Sequence, residues 1–165
     1  MKLYPNYYIK NATKIDIDLL RKNNIKGLIL DVDNTLIDYY KVLLHGSKQW
    51  CEDLKDKGIK FCIVSNSNKK EKVEKVAKEL GIPFIYMGKK PFKSGLLKGA
   101  DILKLNNENI AVVGDQIFTD VLGANRCNMF SILVEPINKK DIFITVVKRP
   151  LENYIIRKYL KKTKD

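Results

Sequence analysis

The feature that most constrains the fold is a series of short apolar runs separated by segments with helical patterning. Five such runs are present: GLILDV (27–32), IKFCIVSNS (59–67), PFIYMG (83–88), NIAVVGDQ (109–116) and FSILVEP (130–136). Continuous apolar runs are typical of parallel strands covered on both faces, and parallel strands need crossover connections between them. The sequence therefore predicts an α/β, Rossmann-like fold with a five-stranded parallel sheet and helices on both faces.

Four segments between these runs have the spacing of amphipathic helices. They span 47–58, 68–81, 91–105 and 119–127. The second is the clearest, because Val76 and Leu80 share one helical face and Gly81 provides a stop. Asn68 and Glu71 have the spacing of a capping box, which predicts that this helix begins at Asn68.

Length and composition bound the organisation of the chain. Its 165 residues, with an apolar fraction of 45%, suit a single domain spanning 1–165. No apolar run approaches the roughly 18 residues of a membrane span, and no secretory signal is evident. Three widely spaced cysteines without a CxxC pair indicate neither a disulfide framework nor a zinc site. A cytoplasmic setting is the resulting expectation.

Polar side chains follow four of the predicted strands at the point where each strand ends. They are Asp31 and Asp33, then Ser65, Asn66 and Ser67, then Lys89 and Lys90, and finally Asp115 with Asp120 just beyond. The carboxyl ends of parallel strands lie along one edge of the sheet, where α/β proteins bind ligands. We therefore expect these groups to form a single site.

The paired acids at the end of the first run indicate a metal and a phosphoryl group. Asp31 and Asp33 are two positions apart in an extended segment, so both can face one site. Two carboxylates about 4 Å apart repel by about 4 kcal/mol at an effective dielectric of about 20, and Asp115 adds a third charge. A divalent cation removes this penalty, and oxygen ligands favour Mg²⁺. A phosphoryl group in turn accounts for Ser65 and Lys90, which can stabilise its oxygens.

In their order and positions, the motifs DVDNTL, SNS, KKP and GDQIFTD resemble those of the haloacid dehalogenase (HAD) superfamily of phosphatases. Within that superfamily, the chain resembles the small YqeG-type group of subclass IIIA. The resemblance to this group lies in GDQIFTDVLGANR, GIPFIYMGKKP, and KDxFxT (140–145) followed by Arg149. It extends over roughly residues 5–160 and implies a magnesium-dependent phosphomonoester hydrolase.

The resemblance implies a catalytic role for each matching residue. Asp31 is the expected nucleophile, which forms an aspartyl-phosphate, and Asp33 is the expected general acid and base. Ser65 and Lys90 are expected to bind the phosphoryl group. Lys89 is a rival for Lys90, although Lys90 adjoins the proline of the KKP motif and matches it better.

The resemblance also implies a metal site. Asp31, the backbone carbonyl of Asp33 and Asp115 are the expected ligands of Mg²⁺. Asp120 is expected to support the site by orienting the water shell or Lys90. The remaining candidates, for substrate contact, are Asn66 and Arg126, of which Arg126 is equally suited to a structural salt bridge.

The motif spacing leaves no room for a cap domain. Only 31 residues separate Asp33 from Ser65, and 24 separate Ser65 from Lys90, and predicted helices and strands fill both gaps. An uncapped site is open to solvent, so it suits a phosphate attached to a lipid, a nucleic acid or a protein.

The charge distribution bears on which of these partners is expected. Nine of the twelve excess positive charges lie within residues 1–26 and 148–165. The segments 13–23 and 150–162 have the basic amphipathic patterning of helices at an anionic membrane, although either can instead pack on the sheet. Relatives of the YqeG-type group in fungal mitochondria and plant plastids dephosphorylate phosphatidylglycerophosphate. The resemblance therefore implies a lipid head group as substrate, and the basic segments favour peripheral contact at the inner face of the membrane.

Two other interpretations stay open. A nucleic-acid end phosphatase is also basic and uncapped, but it needs aromatic stacking platforms, for which Tyr39 and Tyr40 are the candidates. A non-catalytic scaffold with the same fold has little need of three clustered acids. The oligomeric state stays open as well.

Overall fold

One parallel sheet organises the molecule. The computed structural model describes residues 2–138 and 143–164, with side chains described for 2–138 and 149–164. The strands are β1 (Tyr7–Ile9), β2 (Gly27–Leu30), β3 (Lys60–Val64), β4 (Phe84–Ile85), β5 (Ile110–Gly114) and β6 (Phe130–Val134). They pair in the order β1-β6-β5-β2-β3-β4, and every neighbouring pair is parallel. The predicted α/β class is confirmed.

Helices cover both faces of the sheet, as predicted. They are α1 (Ile17–Lys22), α2 (Ser47–Asp56), α3 (Lys70–Leu80), α4 (Lys93–Leu103), α5 (Leu122–Arg126) and α6 (Phe143–Lys162). Successive strand side chains point to opposite faces. Leu28 and Leu30 of β2 accordingly pack in the core that contains residues of α1, α2 and α3, whereas Ile29 packs with residues of α4 and α5. Ile155 of α6 is buried in a third, smaller cluster beside β6.

The sheet has six strands, so the predicted count of five is wrong. The additional strand, β1, pairs only with β6, in the register Tyr7↔Ile132. Because β1 is a three-residue edge strand with partly exposed side chains, it lacks the continuous apolar run of a buried strand. Its position is held by Asn6, whose backbone N–H donates to the Ser131 carbonyl at 2.9 Å.

Two helix starts differ from the sequence prediction. Helix α3 begins at Lys70 rather than at Asn68, and no side chain caps it, so the predicted capping box does not form. The N-terminal segment 13–23 forms a 3₁₀ turn followed by α1, and Asp16 caps α1 by accepting from the Leu19 N–H at 2.8 Å. Leu20 of α1 is fully buried, so the apolar side of this helix packs in the protein core.

The predicted absence of a cap domain is confirmed. Every residue between Asp33 and Lys90 is described, and this segment contains only α2, β3, α3, β4 and their loops. Among the described helices, none combines the length and the hydrophobicity that a membrane crossing requires.

Candidate active site

Three acidic residues meet at the carboxyl edge of the sheet. Asp31 directly follows β2 and Asp115 directly follows β5, and these strands are neighbours in the register Leu30↔Val113. Asp120 joins them from a π-helical turn, Ile117–Val121, that leads into α5. One carboxylate oxygen from each of the three acids lies within 4.8 Å of the others. The strand ends thus converge as the sequence predicted.

Lys90 lies among these acids. Its Nζ is 3.0 Å from Asp31 Oδ1 and 2.7 Å from Asp120 Oδ1, and its side chain is 1% exposed. Burial alone lowers the pKa of Lys90, but the carboxylates of Asp120 and Asp31 raise it above its usual value, so the ammonium stays charged. The neighbouring Lys89 is exposed, so the structure brings Lys90 rather than its rival to the acidic cluster.

The backbone around Lys90 is held in two places. The side chain of Asn66 accepts from the Lys90 N–H at 2.7 Å and donates to the Lys90 carbonyl at 2.8 Å. Gly88, in the same loop, lies directly against Gly95 in the first turn of α4, and a Cβ at Gly95 would overlap the Gly88 backbone. The predicted substrate role of Asn66 stays a prediction, because in this structure its amide orders the lysine loop.

Asp115 has a partner that motif analysis did not assign. Arg149 of α6 forms an ion pair with Asp115 Oδ2 at 2.6 Å and donates to the Asp115 backbone carbonyl at 2.9 Å. The same guanidinium lies 3.1 Å from Glu152, which accepts from the backbone N–H of Ile117 at 3.1 Å. The sequence identified Arg149 only as part of the family resemblance. Of the preceding KDxFxT segment (140–145), residues 140–142 lie outside the described residues, as do the side chains of 143–145.

The electrostatics of the cluster suit a cation. Burial raises the pKa of Asp31 well above its usual range, and the charge of Asp120 raises it further, although Lys90 acts in the opposite direction. Burial and Asp120 likewise raise the pKa of Asp115 to about 7, although Arg149 lowers it. Three carboxylates with oxygens this close, all of them hard ligands, fit a single divalent cation.

Asp33 lies apart from this cluster, at the mouth of the site. Its side chain is 55% exposed, and its two carboxylate oxygens accept from Lys72 Nζ at 2.8 and 2.9 Å. Strand β2 ends at Leu30, and Asn34 adopts a positive φ of 60°, so the chain turns away from the sheet here. No motif indicated Lys72, which reaches this position from the first turn of α3.

The other two predicted site residues have contrasting surroundings. Ser65 directly follows β3, is 1% exposed, and its hydroxyl accepts from the Ser67 N–H at 3.1 Å. Arg126 lies at the end of α5 with its guanidinium 6.0 Å from the ring centroid of Phe92. No ion pair among the described side chains joins Arg126 to the acids, so the structure does not bring it into the cluster.

An uncapped parallel sheet that presents acids after two adjacent strands, with a buried lysine paired to the first of them, defines a HAD-superfamily phosphatase. The fold is similar to that of a HAD phosphatase from Thermococcus onnurineus, with a TM-score of 0.52, 22% identity, and coverage of 61% of this chain and 50% of that one. The chain belongs more narrowly to the family described as mitochondrial PGP phosphatase, which matches residues 1–138.

Two curated relatives agree with this family. "Probable phosphatase YqeG" of Bacillus subtilis (strain 168) is 39% identical over 153 residues, covering 92% of this chain and 88% of that protein. "Phosphatidylglycerophosphate phosphatase 1, chloroplastic/mitochondrial" of Arabidopsis thaliana is 27% identical over 172 residues, covering 96% of this chain. The match spans only 48% of the plant protein.

Proposed function

We propose that the protein hydrolyses a phosphomonoester with Mg²⁺ as cofactor and an aspartyl-phosphate as intermediate. A carboxylate oxygen of Asp31 attacks phosphorus, and the leaving oxygen departs on the opposite side with a proton from Asp33. Asp33 then removes a proton from water, which attacks the aspartyl-phosphate and releases phosphate and free Asp31. When bound, Mg²⁺ neutralises charge on the carboxylates and the phosphoryl oxygens.

The observation that supports this proposal best is the environment of Asp31. The nucleophile must be ionised to attack. Burial raises the pKa of Asp31, and the ammonium of Lys90, 3.0 Å away, is the group that opposes this rise and favours the carboxylate. The same ammonium can stabilise phosphoryl oxygens as their charge grows in the transition state. Ser65, buried at the end of the adjacent strand β3, is suited to donate its hydroxyl proton to a further phosphoryl oxygen.

We propose phosphatidylglycerophosphate as the substrate. The family description and the plant relative support this choice, and the uncapped site admits a head group that stays attached to a lipid. The loop after Asp33 also exposes large side chains, because Tyr39 is 66%, Tyr40 78% and Val42 60% exposed. Aromatic and aliphatic side chains with nearby lysines suit the surface of an anionic membrane.

Peripheral membrane contact is therefore part of the proposal, with the active-site loop as its main element. The N-terminal segment is less suited to it, because Ile15 and Leu20 are buried in the protein. Helix α6 is a second candidate contact, since it exposes Leu151 and Tyr154 at 54% each, beside its basic residues.

A nucleic-acid end phosphatase is the second candidate, favoured by the same exposed tyrosines. The rings of Tyr39 and Tyr40 are 5.4 Å apart and nearly perpendicular, at 89°, so they pack edge to face. A base can stack on only one of them at a time in this arrangement, which makes the loop a limited platform.

The test is phosphate release by purified protein, with and without Mg²⁺. The substrates are phosphatidylglycerophosphate in anionic vesicles, a 3′-phosphorylated oligonucleotide and glycerol 3-phosphate. We expect Mg²⁺-dependent turnover that is fastest on the lipid. Fastest turnover on the oligonucleotide would favour the nucleic-acid end phosphatase instead. Absence of turnover on all three substrates would reject the phosphatase mechanism.

A further inference from the structure

A pocket of about 630 Å³ lies beside Asp33, between the loop 37–43 and helix α3. Ile37, Leu43 and Val76 provide its apolar lining, and Ile37 and Val76 are themselves buried. The pocket does not contain the acidic cluster. It begins at the mouth of the site, where Lys72 contributes to its wall and also binds Asp33. Its position therefore connects it to the active site at the exposed acid.

The pocket is strongly basic. Five lysines line it, against two glutamates: Lys41, Lys69, Lys70, Lys72 and Lys75. Exposed lysines on a helix are ordinarily a solvated surface, but these converge on one concavity from both the loop and the helix. Lys72 is the least exposed of the five, with a side chain 15% exposed, whereas the other four are exposed. A concave, partly apolar surface with excess positive charge fits an anionic group attached to an apolar molecule.

The geometry of the proposed reaction indicates which part of the substrate lies nearest to this pocket. The general acid must contact the leaving oxygen, so the leaving group lies on the side of Asp33. Beyond Asp33 on that side is Lys72, followed by the pocket. A leaving group that enters the pocket would meet its lysines, so a second negative charge on the leaving group would bind there.

We infer that this pocket binds the leaving group of a lipid substrate, and that its lysines bind a phosphodiester on that group. The inference rests on the proposed function and adds to it the place where the lipid phosphodiester of the proposed substrate binds. The diester oxygens contact the ammonium groups, and the apolar lining contacts the carbon skeleton. A phosphomonoester without a second anion reaches the acidic cluster but gains nothing from the pocket.

The experiment compares kcat/KM for three soluble substrates in the presence of Mg²⁺. They are short-chain phosphatidylglycerophosphate below its micelle concentration, glycerol 3-phosphate, and a 3′-phosphorylated dinucleotide. The variant is the double substitution Lys69→Gln and Lys75→Gln. The control is Lys78→Gln, which removes one charge from an exposed position of the same helix, outside the pocket lining.

We expect the double variant to lower the kcat/KM ratio of the lipid over glycerol 3-phosphate by about tenfold or more, mainly through KM. Lys78→Gln should keep the ratio of the unaltered protein. An unchanged ratio, whether kcat/KM falls equally on both substrates or on neither, would overturn the pocket assignment and leave the phosphatase proposal intact. A dinucleotide preferred over the lipid, and equally sensitive to the double variant, would overturn the lipid assignment. No turnover of any substrate by the unaltered protein would overturn both proposals.

Discussion

The inner and outer ends of the DVD motif lie in opposite environments, although a single residue separates them. The side chain of Asp31 is 13% exposed, and that of Asp33 is 55% exposed. Each acid binds a lysine, but Lys90 is 1% exposed and Lys72 is 15% exposed. The same chemical pair therefore occurs once inside the protein and once at its surface.

This difference separates two tasks of the site. A buried ion pair depends on both partners, because loss of one leaves an uncompensated charge, whereas a pair near solvent contributes little to stability. The inner end therefore provides the fixed charges that the proposed chemistry requires. The outer end can exchange its lysine contact for a substrate at small cost. This suits the general acid and base role proposed for Asp33, which requires contact with both a leaving group and water.

The largest expected effect is on the chemistry of the inner end. Asp31→Asn should lower kcat by about 10³-fold or more, because an amide oxygen does not attack phosphorus. The amide still accepts a hydrogen bond from Lys90, so the circular-dichroism melting curve should show an intact fold. Near-normal kcat in this variant, measured by phosphate release, would remove Asp31 from the role of nucleophile.

The next effect is on stability and concerns the lysine of the buried pair. Lys90→Met should lower the free energy of unfolding by about 3–5 kcal/mol, since Asp31 and Asp120 lose their shared counter-charge. Urea denaturation measures this loss. The matched control is Lys89→Met at the exposed neighbouring position, which should change stability by about 0.5 kcal/mol or less. Equal effects of the two substitutions would show that burial does not distinguish them.

A divalent cation should stabilise the inner end directly. Mg²⁺ at 100 times its dissociation constant should raise the free energy of unfolding by about 3 kcal/mol, because it binds only the folded cluster. Thermal melting with and without Mg²⁺ measures this effect without any need for activity. Asp115→Asn should reduce the Mg²⁺-induced shift, whereas Asp101→Asn, at an exposed position of α4, should retain it. An undiminished Mg²⁺-induced shift in Asp115→Asn would show that the ion binds at another site.

The smallest effect is expected at the outer end. Lys72→Met should change the free energy of unfolding by about 1 kcal/mol or less, because Asp33 is solvated when the pair is broken. The same urea titration gives a direct comparison with Lys90→Met. A loss as large as that of Lys90→Met would contradict the division between the two ends of the motif.

The convergence of Asp31, Lys90 and Asp115 was predictable because it follows from topology. Parallel strands that are adjacent in a sheet end at the same edge, so residues that follow them meet whatever the details of packing. Asp33 was expected to face the same site by strand alternation. That alternation does not hold beyond Leu30, where β2 ends and the chain turns.

The partners Arg149 and Lys72 were not predictable in the same way. They lie 34 residues from Asp115 and 39 residues from Asp33, on helices whose rotation about their axes is set by core packing. Local patterns carry no information on which polar side chain of a helix will reach a given strand end. Strand β1 escaped prediction for a related reason, because an edge strand with a single neighbour needs no continuous apolar run.

The contact between Gly88 and Gly95 has a consequence for variation in this family. The backbone of Gly88 leaves no space for a side chain at Gly95, so a larger residue there would displace the loop that carries Lys90 two residues later. A saturation mutagenesis screen for phosphatase activity should therefore find this glycine as intolerant as the charged residues. Its effect would arise at a distance from the substrate, through displacement of the Lys90 ammonium that the proposed mechanism places against the phosphoryl group.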